Sequence, residues 1–377
     1  MTAILQSNHN APDRVLYMAL ELSNTKWKLG FGNGEKQRQV TIEAGDLEAL
    51  AKQIAQAKEK LKLPQACPVR SCYEAGRDGF WIHRHLVEQG IDNAVIDSAS
   101  IEVNRRQRRA KSDGIDVEAL LKLLIRHGAG EPKVMSIVRV PSVEDEDQRR
   151  LHRERERLLK ERGGHSARIK SLLVAHGIQL EIGSDFLEQL DGLYSAAGYP
   201  LGEELKAELQ REYQRHHLVA EQVKRLEQAQ RQRAEQAGTD ALGQINHLMQ
   251  LKGIGWQSSW ILTREFFGWR TFKNQRELGA SAGLAPTPYS SGASEREQGI
   301  SKAGNRRVRS LMVELSWLWL QYQPNSKLSQ WYQQRHASGG KRMRRIGIVA
   351  LARKLLIALW RYLTDGVVPE GAVFKAT

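Results

Sequence analysis

Between residues 14 and 128, short apolar runs alternate with longer amphipathic stretches, a pattern that predicts an α/β unit. Val15 to Leu20, Lys26 to Phe31 and Gln37 to Ile42 have the length and composition of strands. The step Gly32-Asn33-Gly34 between the second and third supplies residues that accept positive φ, so these strands are predicted to be joined as a hairpin. A helix is predicted over Asp46 to Lys62, a buried strand over Val69 to Tyr73, a helix over Gly79 to Gln89 and a short strand over Ala94 to Ile96.

From about Val143 to Gly243 the pattern changes. Arg, Glu, Gln and Leu dominate and β-branched runs disappear, so Glu144 to Ala175 and Gly202 to Ala237 are predicted as long helices forming an antiparallel hairpin or coiled coil. The mixed charges there fit either a solvated face or an arm that dimerises or braces nucleic acid. Ile245 to about Thr364 returns to globular composition and holds most of the tryptophans. It opens with Lys252-Gly253-Ile254-Gly255 between amphipathic stretches, the spacing of a helix-hairpin-helix, in which glycines bring backbone amides against a phosphate or merely make a tight turn. Three domains are expected: an α/β domain at 14–135, a helical coiled-coil arm at 136–244, and a mainly α domain at 245–377. The element order of the first is that of an RNase H-like fold.

Charge narrows the partners. The 377 residues carry 57 Lys plus Arg against 43 Asp plus Glu, a formal net charge of +14, which favours a polyanion and above all nucleic acid. No apolar run approaches the ~20 residues of a spanning helix, and Met1 to Arg14 lacks the plan of a secretory signal, so a cytoplasmic protein with no membrane role is expected. The two cysteines, Cys67 and Cys72, fit neither a disulfide framework nor a zinc site and are read as reduced structural thiols.

Four carboxylates fall where an RNase H-like fold would gather them. Glu21 ends the first strand, Glu74 follows the strand Val69 to Tyr73, and Asp113 and Asp116 share one face at the start of a helix through Ile125. Converging acids repel one another and call for divalent cations, with Mg²⁺ the natural choice for all-oxygen ligands and Mn²⁺ the alternative. Each also has a plainer role: Asp113 as an N-cap, Asp116 and Glu74 as exposed acids, Glu21 as a strand-end charge. Arg105, Arg106, Arg108, Arg109 and Lys111 directly precede Asp113 and would hold a polyanion beside the acids. Lys341, Arg342, Arg344 and Arg345 form a second basic cluster. Trp317, Trp319, Trp331 and Trp360 lie in amphipathic stretches and are read as core packing in preference to base stacking.

The residues Ala19-Leu20-Glu21-Leu22-Ser23, Tyr73-Glu74-Ala75-Gly76 and Lys111-Ser112-Asp113-Gly114-Ile115-Asp116, with Gly283-Leu284-Ala285-Pro286, Tyr289-Ser290-Ser291-Gly292 and Gly299 to Arg307, carry a resemblance over nearly the whole chain. The sequence resembles the insertion-sequence transposases that pair a RuvC-like DEDD domain with a C-terminal serine-bearing transposase domain, the bridge-RNA-guided serine recombinases. One departure is Glu21, which stands where that family usually has Asp. The resemblance implies a bacterial DNA recombinase, nucleoid-associated in action, that cuts and rejoins donor and target DNA through a transient 5′-phosphoserine link. It implies Ser291 as nucleophile, with Ser290 the adjacent alternative, brought to the metal-binding acids in a composite site. It further implies a guide RNA encoded by the element. Lys302, Asn305, Arg306, Arg307 and Arg309 follow the serines and are read as nucleic-acid contacts. Two strand exchanges imply a homodimer or a dimer of dimers. Two other readings stay open: a RuvC-like metal-dependent endonuclease of branched DNA, which needs the acids but not Ser291, and a non-catalytic nucleic-acid-binding scaffold, which needs neither.

Overall fold

The computed structural model describes residues 14–101, 113–236, 239–291 and 294–375. They divide into two compact units that meet in sequence between Val140 and Pro141. The second unit contains both the helical arm and the C-terminal region.

The first unit is built on a five-stranded sheet. Strands β1 (Leu16–Leu22), β2 (Lys26–Gly32) and β3 (Gln37–Glu43) form an antiparallel meander. The turn into β3 depends on Asn33, whose Oδ1 accepts from the amides of Glu35 and Lys36, and on Gly34 at φ 94°. Helix α1 (Leu47–Lys60), capped by Asp46, leads to β4 (Val69–Glu74), and α2 (Trp81–Glu88) leads to β5 (Asp92–Ile96). Both later strands run parallel to β1, giving the order β3-β2-β1-β4-β5. Because side chains alternate between faces, Met18, Leu20, Tyr73 and Val95 pack against Leu50, Ala57, Ile82 and Leu86 of α1 and α2. Ala19, Cys72 and Ile96 face the other way, against Val117, Leu120, Leu121 and Leu124 of α3 (Asp113–Gly128). Helix and sheet approach closely at Gly30, where a Cβ would stand 3.2 Å from Val117 Cγ2. Cys67 and Cys72 are buried and unpaired, and burial pushes the Cys72 thiol far above its ordinary range.

The second unit begins with α4 (Val143–Gln148) and α5 (Arg150–Val174). The single helix expected over Glu144 to Ala175 is thus divided at Arg149, which is buried, donates to the Asp145 carbonyl and lies 4.7 Å from the Trp269 ring centroid. After the short α6 (Phe186–Leu190), α7 (Glu203–Gln236) runs back along α5. The pairs Arg155–Glu227, His165–Glu212 and Arg168–Glu208 descend one helix as they climb the other, so the two are antiparallel. Leu158, Val219 and Val223 close the seam at mid-length, and Ile169, Leu173, Phe186, Leu190, Leu209 and Tyr213 close its far end.

Helices α8 (Thr239–Gln250) and α9 (Trp256–Leu262) follow, joined by the expected glycine turn. Gly253 takes φ 91° and packs against Tyr322, while Gln323 Nε2 donates to the Lys252 carbonyl and Lys375 Nζ to that of Ile254. The turn is therefore engaged by its own fold. A π turn over Thr263–Phe267 leads to α10 (Gln275–Ser281), then to an antiparallel hairpin of β6 (Pro286–Ser291) and β7 (Ser294–Ile300). Helices α11 (Arg306–Tyr322), α12 (Lys327–Tyr332) and α13 (Lys341–Asp365) complete the unit, whose main core joins Phe266, Leu278, Met312, Trp319, Leu355 and Tyr362. Trp319 is buried, as read from the sequence, whereas Trp317 is half exposed.

Candidate functional site

In the first unit the parallel register of β1 and β4 pairs Leu20 with Tyr73. The next residue on each strand is an acid, so Glu21 and Glu74 stand side by side at the C-terminal ends of neighbouring strands. Strand alternation puts both on the α3 face, in line with Ala19 and Cys72. They line one cleft of about 510 Å³, together with Ser23, Asn24 and Thr25 of the β1–β2 turn and Arg77 and Asp78 beyond β4. Glu21 is half-buried and Glu74 exposed.

Asp116 does not line this cleft. Its helix is positioned by the apolar stripe that packs Val117 against Gly30, and Gln39 Nε2 of β3 donates to the Gly114 carbonyl. Asp116 stands in the first turn of α3, the helix that packs on the sheet face bearing Glu21 and Glu74. The Asp113 side chain lies outside the described residues, as do Arg105, Arg106, Arg108, Arg109 and Lys111. Among the described residues, no group of three or more His, Cys, Asp or Glu side chains could hold a metal ion. The pair Glu21 and Glu74 nonetheless suits Mg²⁺, which commonly takes one or two carboxylates and keeps several waters.

In the second unit Ser290 and Ser291 sit at the far end of β6, with Ser291 paired to Ser294. The serines are thus carried on a strand of a domain expected to be mainly α. The root of this hairpin is tightly fixed. Ser301 and Lys302 donate their amides to the carbonyls of Ala285 and Gly283. Lys302 takes the left-handed conformation at φ 57°, and Gly304 at φ 104° lies so close to α10 that a Cβ would fall 2.4 Å from the Ser281 carbonyl oxygen.

Three residues read as nucleic-acid contacts have intramolecular roles here. Asn305 caps α11, its Oδ1 accepting from the amides of Arg307 and Val308, and its Nδ2 donates to Glu265 at 3.0 Å. Arg307 pairs with Glu156 of α5 at 2.6 Å. Arg309 donates to the carbonyls of Lys302 (2.9 Å) and Ala282 (3.4 Å), holding the hairpin root to its helix. Lys302 and Arg306 are exposed.

Glu265, which sequence reasoning passed over, ties this region together. It is fully buried; Oε1 accepts from His152 Nε2 (2.8 Å) and Arg153 Nε (2.7 Å), and Oε2 from Arg153 Nη2 and Asn305 Nδ2, both at 3.0 Å. Burial alone would raise its pKa, but the bonds from His152 and Arg153 and the Arg153 charge outweigh burial and hold the carboxyl well below the usual range. The only sequence signal was an acid inside the apolar stretch Ile261 to Phe267.

The matched proteins are transposases. Residues 245–333, from α8 through the serine hairpin to the end of α12, match the family model described as "Transposase IS116/IS110/IS902 family". "Putative transposase y4rJ" of Sinorhizobium fredii is 41% identical over 96% of this chain and 94% of its own length. The transposase for insertion sequence element IS1328 of Yersinia enterocolitica is 28% identical over 68% of this chain and 73% of its own, and that for IS1111A of Coxiella burnetii 27% identical over 75% and 74%. The chain belongs to the IS116/IS110/IS902 family of transposases. No helix among the described residues is long and apolar enough to cross a membrane.

Proposed function

We propose that this transposase cuts and rejoins DNA by a serine-mediated exchange assisted by the acids of the first unit. The supporting observation is the placement of Glu21 and Glu74 at adjacent strand ends, in a sheet whose order β3-β2-β1-β4-β5 suits an RNase H-like, RuvC-like domain. Glu21 and Glu74, with Asp113 and Asp116 of α3, are assigned to hold a hard divalent cation, Mg²⁺ or Mn²⁺. Such an ion, when bound, lowers the pKa of an attacking hydroxyl and offsets charge on a leaving oxygen. Glu21 is longer than an Asp but keeps the oxygen donors this requires.

In the exchange Ser291 Oγ attacks a backbone phosphorus. The bond to the 3′-oxygen breaks, that oxygen takes up the serine proton, and a 5′-phosphoserine remains. A 3′-hydroxyl of another strand then attacks the same phosphorus, restores a phosphodiester and returns the proton to Ser291. No external energy source is needed, because one phosphoester replaces another in each step. Lys302 and Arg306 are assigned to phosphate contacts. Donor and target DNA are the substrates, and the net charge of +14 suits an added partner, a guide RNA encoded by the element, which the protein would recognise by backbone and shape. Two exchanges call for at least two serines, hence a homodimer or a dimer of dimers.

The test is to incubate the protein with Mg²⁺, the element's transcribed end RNA and labelled donor and target DNA. A covalent DNA adduct, absent in Ser291→Ala and in Glu74→Ala, is expected. Strand cutting without an adduct, undiminished in Ser291→Ala, would replace the phosphoserine route with that of a metal-dependent endonuclease of branched DNA.

A further inference from the structure

Helix α13 buries one face in the core of the second unit through Ile348, Leu351, Ala352, Leu355 and Leu359. Beside that face it carries a second apolar strip, Ile346, Val349 and Ile357, of which Val349 and Ile357 are half-buried at the edge of the core and Ile346 is exposed. This strip forms one wall of a groove of about 970 Å³, and Leu284, Pro286 and Ile300 from the base of the serine hairpin form the other. Six cations line it, Lys302, Lys341, Arg342, Arg345, Arg353 and Lys354, with no acid among the described residues. Among the described side chains no carboxylate pairs with any of them, and Lys354 Nζ rests 4.8 Å from the ring centroid of Trp331.

So many like charges around one apolar floor repel one another, and the repulsion is relieved by a polyanion. The floor adds a second requirement. A duplex presents mainly sugar and phosphate and would leave Ile346, which is 46% exposed, without an apolar partner. A single strand presents phosphates along one edge and unpaired base faces along the other. We propose that this groove binds a single strand of nucleic acid, with Lys341, Arg342 and Arg345 on its phosphates and its bases against Ile300, Ile346 and Val349. The groove starts at Pro286 and Ile300, where the hairpin leaves the domain, and Ser291 lies five residues along β6, about 17 Å at strand rise. The groove and the serine-bearing hairpin thus share Pro286 and Ile300. The proposal rests on the reading that this unit handles nucleic acid, but not on the chemistry of Ser291.

The experiment measures fluorescence anisotropy of the full chain in EDTA, with a labelled single-stranded DNA, the same sequence as RNA, and the corresponding duplex. Arg342→Ala with Arg345→Ala should weaken single-strand binding about tenfold or more and flatten the slope of log affinity against log salt by roughly 1.4, two phosphate contacts' worth. Ile346→Ser should weaken single-strand binding several-fold and leave duplex binding unchanged. Tighter binding of DNA or of RNA in this assay identifies which strand the groove takes. Equal loss on single strands and duplex, or no loss with either variant at unchanged melting temperature, overturns the proposal. Ser291→Ala should bind like the wild type; if groove binding holds but no adduct ever forms, the serine chemistry fails while the groove stands.

Discussion

Replacing Glu265 tests the view that one carboxylate fixes the hairpin root to the helical arm. Both oxygens face two donors each, from His152, Arg153 and Asn305. Glu265→Ala leaves the His152 side chain, 1% exposed, without its Nε2 partner, but Arg153, 39% exposed, is partly rehydrated. Breaking a buried pair costs about 3–5 kcal/mol, and the exposure of Arg153 argues for the lower end, about 3 kcal/mol. In a unit of this size that corresponds to a fall of roughly 6–12 °C in Tm. Glu265→Gln puts an amide nitrogen against two donors and should cost about 2 kcal/mol, although it has nearly the same shape. Scanning calorimetry of the transition that contains the second unit reads both. The pH dependence gives an independent check. The folded pKa is depressed below the ordinary 4.5, so the contribution is fully present above pH 4.5 and is lost as pH falls toward the folded value. Wild type and Glu265→Ala should therefore differ most above pH 4.5 and converge in acid. A Tm within 2 °C of wild type for Glu265→Ala, or a constant gap down to acid pH, would refute the reasoning (the 2 °C being about half a kcal/mol to one).

Gly304→Ala should destabilise the second unit by about 3 kcal/mol or more, because the residue adds both a positive-φ penalty and a clash with the Ser281 carbonyl, and urea unfolding would register it. Arg309→Ala should lower stability by about 1–2 kcal/mol through the lost carbonyl bonds, whereas Arg306→Ala should leave Tm unchanged and weaken DNA binding in an anisotropy titration. Cys67 and Cys72 should resist a thiol reagent at pH 8 in the native protein and react on unfolding, which mass spectrometry counts.

The first unit was largely legible because its signals are local. Strands β2 to β5 each carry β-branched or aromatic residues in pairs or more, β1 is a continuous apolar run up to Glu21, and Asn33-Gly34 marks the hairpin by its turn chemistry. The position of Glu21 and Glu74 at strand ends followed from those boundaries. What escaped were matters of tertiary partnership. The charge of Arg307 and Arg309 is visible in the sequence, but Glu156 and the Lys302 carbonyl, which occupy them, are not. The division of the expected helix at Arg149 was not legible either, because the Trp269 ring that its guanidinium meets is 120 residues away in sequence. The β6–β7 hairpin was hidden by Pro286, Pro288 and a polar composition that strand propensity disfavours. The spacing of Arg342, Arg345, Val349 and Arg353 on one face of α13 was available as helical periodicity, although their shared groove was not.

The buried carboxylate has a mechanical meaning as well. From Arg153 to the end of α5 at Val174 is 21 residues of helix, so the far end of the arm stands roughly 30 Å from its anchor. The anchored end bears on Glu265, and Glu265 bears on the residue that caps α11 and closes the hairpin root. A sideways displacement of ~3 Å at the tip is a rotation of only about 5° at the base, by the same helix length. The arm is thus a lever whose base is held at Glu265 and, beside it, by the Arg307–Glu156 pair, and whatever grips its tip applies torque at the root of the strand that carries the serines.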